Sequence, residues 1–224
     1  MKLAAVCVGA GAGSRFGGEK LAEDLGGWTV LETALNALRS ALPEEPMVVV
    51  VAQDRLDDWR DRLQPDHPDL YLVAGGIRRQ ESVRAGVELV ARDGAEAVLV
   101  HDAARPLVDR SDVLAVIDAL GEAAGAILTA RIPDTVKRVD AKKDIVATLA
   151  RDDLRLALTP QVFRVAALME AWRMDDAGQE WTDESALLET AGMRVHSVDA
   201  RHPNPKLTTA ADLRLLRALM GAEL

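Results

Sequence analysis

The chain has 224 residues and a formal net charge of −9, from 27 Lys and Arg against 36 Asp and Glu. This acidic balance disfavours nucleic acid or an anionic membrane as the main partner, so any anion site must be local. The length fits one α/β domain, which we predict to span residues 1–224. Cys7 is the single cysteine and lies in an apolar run, which excludes a disulfide framework and disfavours a covalent thiol mechanism.

Two further features of the composition bear on location and on the core. No charged-then-apolar leader precedes the first strand, and no apolar run reaches the ~18 residues of a membrane span. We therefore expect a cytoplasmic protein without a membrane partner. Aromatic residues make up only 3% of the chain, so the core must consist of Val, Leu and Ala, which is typical of parallel sheets covered by helices.

Apolar runs alternate with segments of helical periodicity up to residue 130. This alternation predicts an α/β fold with a doubly wound, mostly parallel sheet, in which ligands bind at the carboxyl ends of the strands. The predicted strands are 4–8, 47–52, 70–73, 97–100 and 126–130, and the predicted helices are 30–38, 54–63, 83–90 and 111–120.

The pattern changes between residues 131 and 150, where alternating residues flank a charged turn at 140–144. We predict a protruding β-hairpin arm here, with no helix to cover it. Because an uncovered hairpin tends to pair with another surface, we expect it to form the arm of a homodimer. Helices at 164–173 and 183–189 and a strand at 195–198 follow, and Thr209 with Asp212 forms a capping-box spacing at the start of a last helix.

The stretch VGAGAGSRFGGEK, residues 8–20, joins the first strand to the first helix and is rich in glycine. Its spacing fits neither a dinucleotide fingerprint nor a Walker A loop, because Ser14 and Phe16 replace the last glycine of the former and Lys20 comes one residue late for the latter. What remains is a glycine loop with two cations, Arg15 and Lys20. It could bind a polyphosphate, or it could be a solvated turn with incidental charges.

Other candidate residues each allow two readings when taken alone. Asp102 could hold a magnesium-bound water or a ribose hydroxyl, or it could be a helix cap. Ser82 could contact a base or cap its own helix, and Arg105 could bind a phosphate or form an ion pair. Arg151 lies in a charged cluster and Lys206 in a polar loop, where solvated side chains are the ordinary alternative. The four histidines are too dispersed to predict a metal site.

Several separated stretches share their residues and their order with one enzyme family. These stretches are the glycine loop 9–15 with Lys20, GGIRRQESV at 75–83, VHDAARP at 100–106, DTVK at 134–137, LTPQ at 158–161, TDES at 182–185 and NPKLT at 204–208. Over nearly its whole length the chain resembles the 2-C-methyl-D-erythritol 4-phosphate cytidylyltransferases of the non-mevalonate isoprenoid pathway. The resemblance implies a Rossmann-like nucleotidyltransferase fold with a dimer arm.

The activity implied by the resemblance is attack of the phosphate of methylerythritol phosphate on the α-phosphorus of CTP, with release of pyrophosphate and no enzyme nucleophile. Mg²⁺ would bridge the triphosphate oxygens. Arg15 and Lys20 would stabilise the charge on phosphorus. CTP would also contact Ala10, Gly11, Gly13, Gly75, Gly76, Ser82, Asp102 and Ala103, with Asp102 beside the ribose and the metal.

The second substrate, by the same resemblance, is a sugar-alcohol phosphate held mainly by two basic residues. Arg151 and Lys206 would position it, with Thr159 and Thr182 beside it, while Arg105 and Thr135 would reach across from the partner subunit. Since bringing two reactants together can supply roughly 7–11 kcal/mol of a barrier, positioning the two phosphates would be most of the catalysis.

The sequence departs from the family pattern at two positions, and three other functions are alternatives to this interpretation. Gly9 replaces the usual first alanine of the loop, and Glu19 replaces the proline that commonly precedes Lys20. No second domain follows Leu224, so a fusion with the later cyclase of the pathway is not expected. The rivals are a ribitol 5-phosphate cytidylyltransferase, a nucleotide-binding regulatory protein and a dehydrogenase, and the glycine spacing already argues against the last.

Overall fold

The computed structural model describes residues 1–11, 16–175 and 179–221. Within them, a central sheet of seven strands and a separate two-stranded sheet are joined by helices. The strands are β1 (Leu3–Val8), β2 (Met47–Val51), β3 (Tyr71–Ala74), β4 (Ala97–Asp102), β5 (Gly125–Arg131), β6 (Val136–Val139), β7 (Ile145–Leu149), β8 (Arg155–Arg164) and β9 (Val195–Asp199). The helices are α1 (Val30–Ala41), α2 (Leu56–Leu63), α3 (Arg79–Arg92), α4 (Arg110–Ala119), α5 (Val165–Met174), α6 (Glu184–Thr190) and α7 (Ala210–Gly221).

The order of the strands in the central sheet is β3-β2-β1-β4-β8-β5-β9. The strands β3, β2, β1 and β4 are parallel neighbours, as are β5 and β9, whereas β8 is antiparallel to both β4 and β5. The prediction of an α/β fold with a mostly parallel sheet is therefore confirmed. The parallel half presents the ends of β1, β3 and β4 at one edge, and the site lies there.

The strand β8 is the element that the sequence prediction missed. It contains Pro160, which lacks an amide donor and so argues against a central strand. The structure accommodates the proline at an irregularity in the pairing, because Ile127 of β5 lies opposite Gln161 while Thr129 lies opposite Ala157. The extra length of β8 between these pairs forms a bulge, which is where proline is tolerated inside a sheet.

The core lies on both faces of the sheet, because side chains alternate along each strand. On β1, Ala5 and Cys7 face a cluster with α1, α2, α4 and α7, while Val6 and Val8 face α3, α5 and α6. The packing of α3 on the sheet is close, since a Cβ added to Gly86 would lie 2.5 Å from Val6 Cγ1. Burial on both faces accounts for the continuous apolar runs of the strands.

The predicted hairpin arm is present as the separate sheet of β6 and β7. Its antiparallel register places Val136 opposite Leu149 and Val139 opposite Ile145. The Val139 and Ile145 side chains are 52% and 66% exposed, so the arm presents apolar surface that the rest of the chain does not cover. Within the described ranges, no helix is long and apolar enough to cross a membrane.

The predicted helices are also confirmed, including the cap of α7. The Thr209 amide donates to Asp212 Oδ2 at 2.7 Å, and the Asp212 amide lies 3.4 Å from Thr209 Oγ1. This reciprocal pair satisfies two donors that a helix start otherwise leaves without partners.

Candidate active site

A cavity of about 290 Å³ opens at the carboxyl ends of β1, β3 and β4. This is the edge at which parallel sheets bind ligands, and the alternation of strands and helices predicts it. Six of the residues proposed from the sequence line the cavity, although they come from four separate parts of the chain. They are Gly11, Lys20, Gly76, Ser82, Asp102 and Lys206.

The turn after β3 brings Gly75 against Ala10 and Ser82. A Cβ on Gly75 would lie 2.6 Å from Ser82 Oγ and would collide with the Ala10 methyl group, so only glycine fits there. The Ser82 hydroxyl accepts a hydrogen bond from the Gly76 amide at 3.1 Å. The Ser82 hydroxyl thus fixes the turn that precedes α3, and its predicted contact with the base remains a prediction.

Asp102 ends β4 and lies between two cations. Its Oδ1 accepts from Arg79 Nε at 3.1 Å, and its Oδ2 accepts from Lys206 Nζ at 2.6 Å. Burial alone would raise the pKa of this carboxyl, but the charges of Arg79 and Lys206 hold it well below its usual range. Asp102 is therefore an ionised carboxylate with its position fixed from both sides.

Arg79 also pairs with a second buried carboxylate, that of Glu184. Its Nη1 donates to Glu184 Oε2 at 2.7 Å, and Glu184 is 2% exposed. Burial raises the pKa of Glu184 and Arg79 opposes that rise, while the two carboxylates together raise the pKa of Arg79 despite its burial. Sequence reasoning did not single out this pair. The available signal was that Arg79 lies in GGIRRQESV at 75–83 and Glu184 in TDES at 182–185, two of the stretches shared with the family.

A buried polar network fixes the backbone behind Asp102. The Asp102 amide donates to Thr159 Oγ1 at 3.0 Å, and that hydroxyl lies 3.2 Å from His101 Nδ1. On its other side, His101 Nε2 lies 2.9 Å from the Arg105 carbonyl oxygen. Thr159 is 3% exposed, so its hydroxyl is engaged inside the protein. Its predicted contact with the sugar phosphate remains a prediction.

Lys20 begins a short 3-10 turn, and its Nζ lies 3.4 Å from the Leu207 carbonyl oxygen, so the glycine loop and the Lys206 loop meet here. The neighbouring Glu19 carboxylate lies 3.8 Å from the Arg55 guanidinium. Glu19, which departs from the family pattern, is therefore paired with Arg55. The predicted roles of Gly13 and Arg15 fall outside the described residues.

The remaining candidates do not line this cavity. Ala103 is fully buried, and Thr182 is exposed. Arg151 lines a second cavity, of about 500 Å³, at the base of the hairpin arm, where its guanidinium donates to the Pro133 carbonyl. Thr135 is exposed on the same arm. The structure thus does not bring Arg151 and Lys206 to one cavity within a single chain.

Arg105 is half-buried and turned toward its own chain. Its Nη1 donates to the Asn204 carbonyl at 2.7 Å, two residues before Lys206, and its Nε is buried without a hydrogen-bond partner. The expected reach toward a partner subunit is not the arrangement seen in the single chain, and it remains a prediction for a dimer. In this chain Arg105 supports the loop that carries Lys206.

The side chains that could ligate a metal ion determine which metal the cavity could hold. Among the described residues, no group of three or more His, Cys, Asp or Glu side chains is placed to ligate an ion. Asp102 is a single oxygen donor beside a cationic cavity, which fits Mg²⁺ bound mainly through substrate phosphates. Cys7 is buried and its pKa is raised by burial and by the charge of Asp102, so the thiol is not a nucleophile.

Known proteins resemble this chain along most of its length. A bifunctional enzyme IspD/IspF of Bradyrhizobium sp. (strain BTAi1) is 37% identical to this chain, covering 100% of this chain and 58% of the relative. The 2-C-methyl-D-erythritol 4-phosphate cytidylyltransferase of Haemophilus influenzae (strain PittEE) is 38% identical, covering 94% of this chain and 93% of the relative. The crystal structure of 4-diphosphocytidyl-2C-methyl-D-erythritol synthase from Anaerococcus prevotii superposes with a TM-score of 0.84 at 27% identity, over 98% of both chains.

The fold and these relatives place the chain among proteins of the nucleotidyltransferase class. The family model described as 2-C-methyl-D-erythritol 4-phosphate cytidylyltransferase matches residues 3–222. The chain therefore belongs to the 2-C-methyl-D-erythritol 4-phosphate cytidylyltransferase family. It spans 58% of the length of the bifunctional relative.

Proposed function

We propose that the chain transfers the cytidylyl group of CTP to 2-C-methyl-D-erythritol 4-phosphate, releasing pyrophosphate and forming 4-diphosphocytidyl-2-C-methyl-D-erythritol for isoprenoid precursors. The observation that carries this proposal is the cavity at the carboxyl edge of the sheet. It combines Lys20, Lys206 and Asp102, which is held from both sides, with Gly76 of the turn after β3, in a member of this family.

The nucleotide would occupy the side of the cavity formed by β1, β3 and the glycine loop. Gly76 lines the cavity and can offer its backbone to the base, while Gly75 packs against Ala10 and Ser82 and so fixes the turn. Lys20 would place its ammonium on the triphosphate, where a fixed cation stabilises charge that grows in the transition state. Gly11 and Ala10 are near enough to the same turn to border the nucleotide.

A divalent cation, Mg²⁺, would neutralise the triphosphate and orient its oxygens. Asp102 is the described residue that fits this ion, because its ionised carboxylate lines the cavity. A site with one carboxylate and several phosphate oxygens is ordinary for Mg²⁺, which retains waters and binds through substrate phosphates. The chain itself would supply the position of Asp102 and the positive charge around it.

The sugar phosphate would meet two groups of residues that lie apart in the single chain. Lys206 lines the first cavity, whereas Arg151 and Thr135 lie at the base of the arm. A homodimer formed through the arm is a way to join the two groups, and the exposed Val139 and Ile145 support such an interface. We extend the proposal to this dimer and to a cytoplasmic location, where CTP is available.

The experiment is incubation of the purified protein with CTP, Mg²⁺ and one sugar phosphate, with pyrophosphate measured over time. We expect release with 2-C-methyl-D-erythritol 4-phosphate and loss of release when EDTA replaces Mg²⁺. Release with ribitol 5-phosphate alone would assign the rival cytidylyltransferase. Tight CTP binding without pyrophosphate from either sugar phosphate would instead indicate a nucleotide-binding protein without turnover.

A further inference from the structure

We infer that Arg79, clamped by the buried Glu184, is a positioning residue that fixes which oxygen of Asp102 faces the nucleotide and its metal. The inference rests on the proposed function, because it concerns the carboxylate assigned there to the metal. It adds two residues, Arg79 and Glu184, that the sequence reading did not assign.

The first step is that the two carboxylate oxygens of Asp102 bind different partners. Oδ1 accepts from Arg79 Nε, and Oδ2 accepts from Lys206 Nζ, and both cations line the cavity. Lys206 belongs to a loop and is half-buried, whereas Arg79 belongs to the first turn of α3. When a substrate phosphate or a cation competes for these groups, we expect the contact between Asp102 and Lys206 to break and the contact between Asp102 and Arg79 to remain.

The second step is the anchoring of Arg79 itself. Glu184 lies at the first position of α6 and accepts from Arg79 Nη1 at 2.7 Å, so one planar guanidinium bridges two carboxylates from different elements. A guanidinium held by two separate nitrogens cannot rotate without breaking a charged hydrogen bond. The orientation of the Asp102 carboxylate is therefore set by an element, α6, that does not line the cavity.

The third step concerns energy. Burying an ion pair costs desolvation that largely offsets its attraction, so Glu184 at 2% exposure is a poor device for stability alone. Its burial has a clear geometric effect, since it places a fixed negative partner behind Arg79. The charges also balance: Asp102 and Glu184 carry two negative charges, and Arg79 and Lys206 carry two positive charges.

Gln80, the next residue of α3, also binds the chain that leads into α6. Its Nε2 donates to the Gln179 carbonyl at 2.9 Å, and its Oε1 accepts from the Trp181 amide at 2.7 Å. The start of α3 thus holds the chain leading into α6 at two places. Glu184 is consequently presented to Arg79 by a segment that is itself fixed to α3.

The test separates positioning from direct binding by measuring the affinity for CTP with and without a metal. Mn²⁺ replaces Mg²⁺, because the loss of its free electron paramagnetic resonance signal reports binding in the presence of CTP and without sugar phosphate. Arg79→Gln and Glu184→Gln should weaken the Mn²⁺-dependent affinity at least tenfold and leave metal-free CTP binding within about threefold. Arg79→Lys, which can hold one carboxylate but not both in a fork, should recover part of the loss.

A double-mutant cycle supplies the decisive comparison. If Arg79 acts through Asp102, then adding Arg79→Gln to Asp102→Asn should cause no further loss of Mn²⁺·CTP affinity beyond about twofold. Losses that multiply would overturn the inference and indicate that Arg79 binds the nucleotide directly. Equal losses with and without metal would also overturn it, because they would reflect general damage to the cavity.

The matched control is Glu88→Gln, which removes a carboxylate that pairs with Arg84 on the exposed side of the same helix at 2.8 Å. It should bind Mn²⁺·CTP as the wild type does. A wild-type protein that binds Mn²⁺·CTP but releases no pyrophosphate with either sugar phosphate contradicts the proposed function, while the cycle still decides the positioning role. A wild-type protein that does not bind Mn²⁺·CTP contradicts both.

Discussion

The Lys206 ammonium donates to Asp102 Oδ2 at 2.6 Å, across 104 residues of sequence. The sequence reading assigned these residues to different subsites, Lys206 to the sugar phosphate and Asp102 to the ribose and the metal. Their direct contact means that the two proposed subsites share a boundary. Together with Arg79, Lys206 compensates the negative charge of Asp102.

Lys206→Gln should chiefly raise the KM for the sugar phosphate. A hydrogen bond to a charged group contributes roughly 1.5–3 kcal/mol, so an increase of tenfold or more is expected, with the KM for CTP changed much less. Steady-state kinetics with each substrate varied in turn measures this. Lys2→Gln is the control, because Lys2 donates to the Asp93 carbonyl at the opposite end of the strands. A selective loss of CTP affinity would mean that we have exchanged the subsites.

Lys20→Gln should lower kcat while the fold persists. Removing one fixed donor to a transition-state oxygen costs roughly 2.7–4 kcal/mol, or a factor of about 10² to 10³ in rate. Pyrophosphate release at saturating substrates measures the rate, and the thermal unfolding midpoint checks the fold. The same Lys2→Gln variant serves as control. Wild-type turnover in the Lys20 variant would remove this residue from the mechanism.

The sequence predicts the parallel half of the fold well, because strands buried on both faces read as continuous apolar runs. This is true of Met47–Val51 and of Leu3–Val8. It fails for Arg155–Arg164, where Pro160 lies in the middle of an antiparallel strand. Which neighbours a strand pairs with, and whether a bulge can absorb a proline, depends on tertiary packing that no local pattern records.

The site is predictable to the extent that it lies at strand ends. Asp102 and Gly76 are found this way, because each follows a recognisable strand. Arg79 and Glu184 are not, since their importance comes from a contact between residues 105 positions apart. The location of Arg151 beside the arm likewise depends on how the hairpin leaves the sheet, and its sequence neighbours say nothing about it.

Ile145→Asp should weaken self-association through the hairpin arm. The side chain is 66% exposed in the single chain and lies opposite Val139, so a charge there would be buried unpaired in a dimer interface. Sedimentation velocity across a concentration series should show a shift toward the monomer. Leu215→Asp, on the exposed side of α7, is the matched control. Equal sedimentation of the wild type and the Ile145 variant would exclude the arm as the interface.

His101 should make stability fall as the pH drops from neutral. Burial lowers its pKa from 6.5 to about 4, although its hydrogen bond to the Arg105 carbonyl opposes the shift. Between these two pH values the unfolded chain binds a proton that the folded protein does not, so the free energy of unfolding decreases as the pH falls through this window. A shift of this size corresponds to roughly 3 kcal/mol, fully present above pH 6.5 and lost near pH 4.

The variant that isolates this effect is His101→Gln, which keeps a donor in place of Nε2 and removes the titration. Urea unfolding at a series of pH values from 4 to 7 should show a shallower pH dependence for this variant than for the wild type. Its free energy of unfolding at pH 7 should also be lower, because Thr159 Oγ1 loses its partner at Nδ1. His67→Gln, in the loop after α2, is the matched control. Parallel curves for the wild type and His101→Gln would show that the buried imidazole does not set the acid limit of the fold.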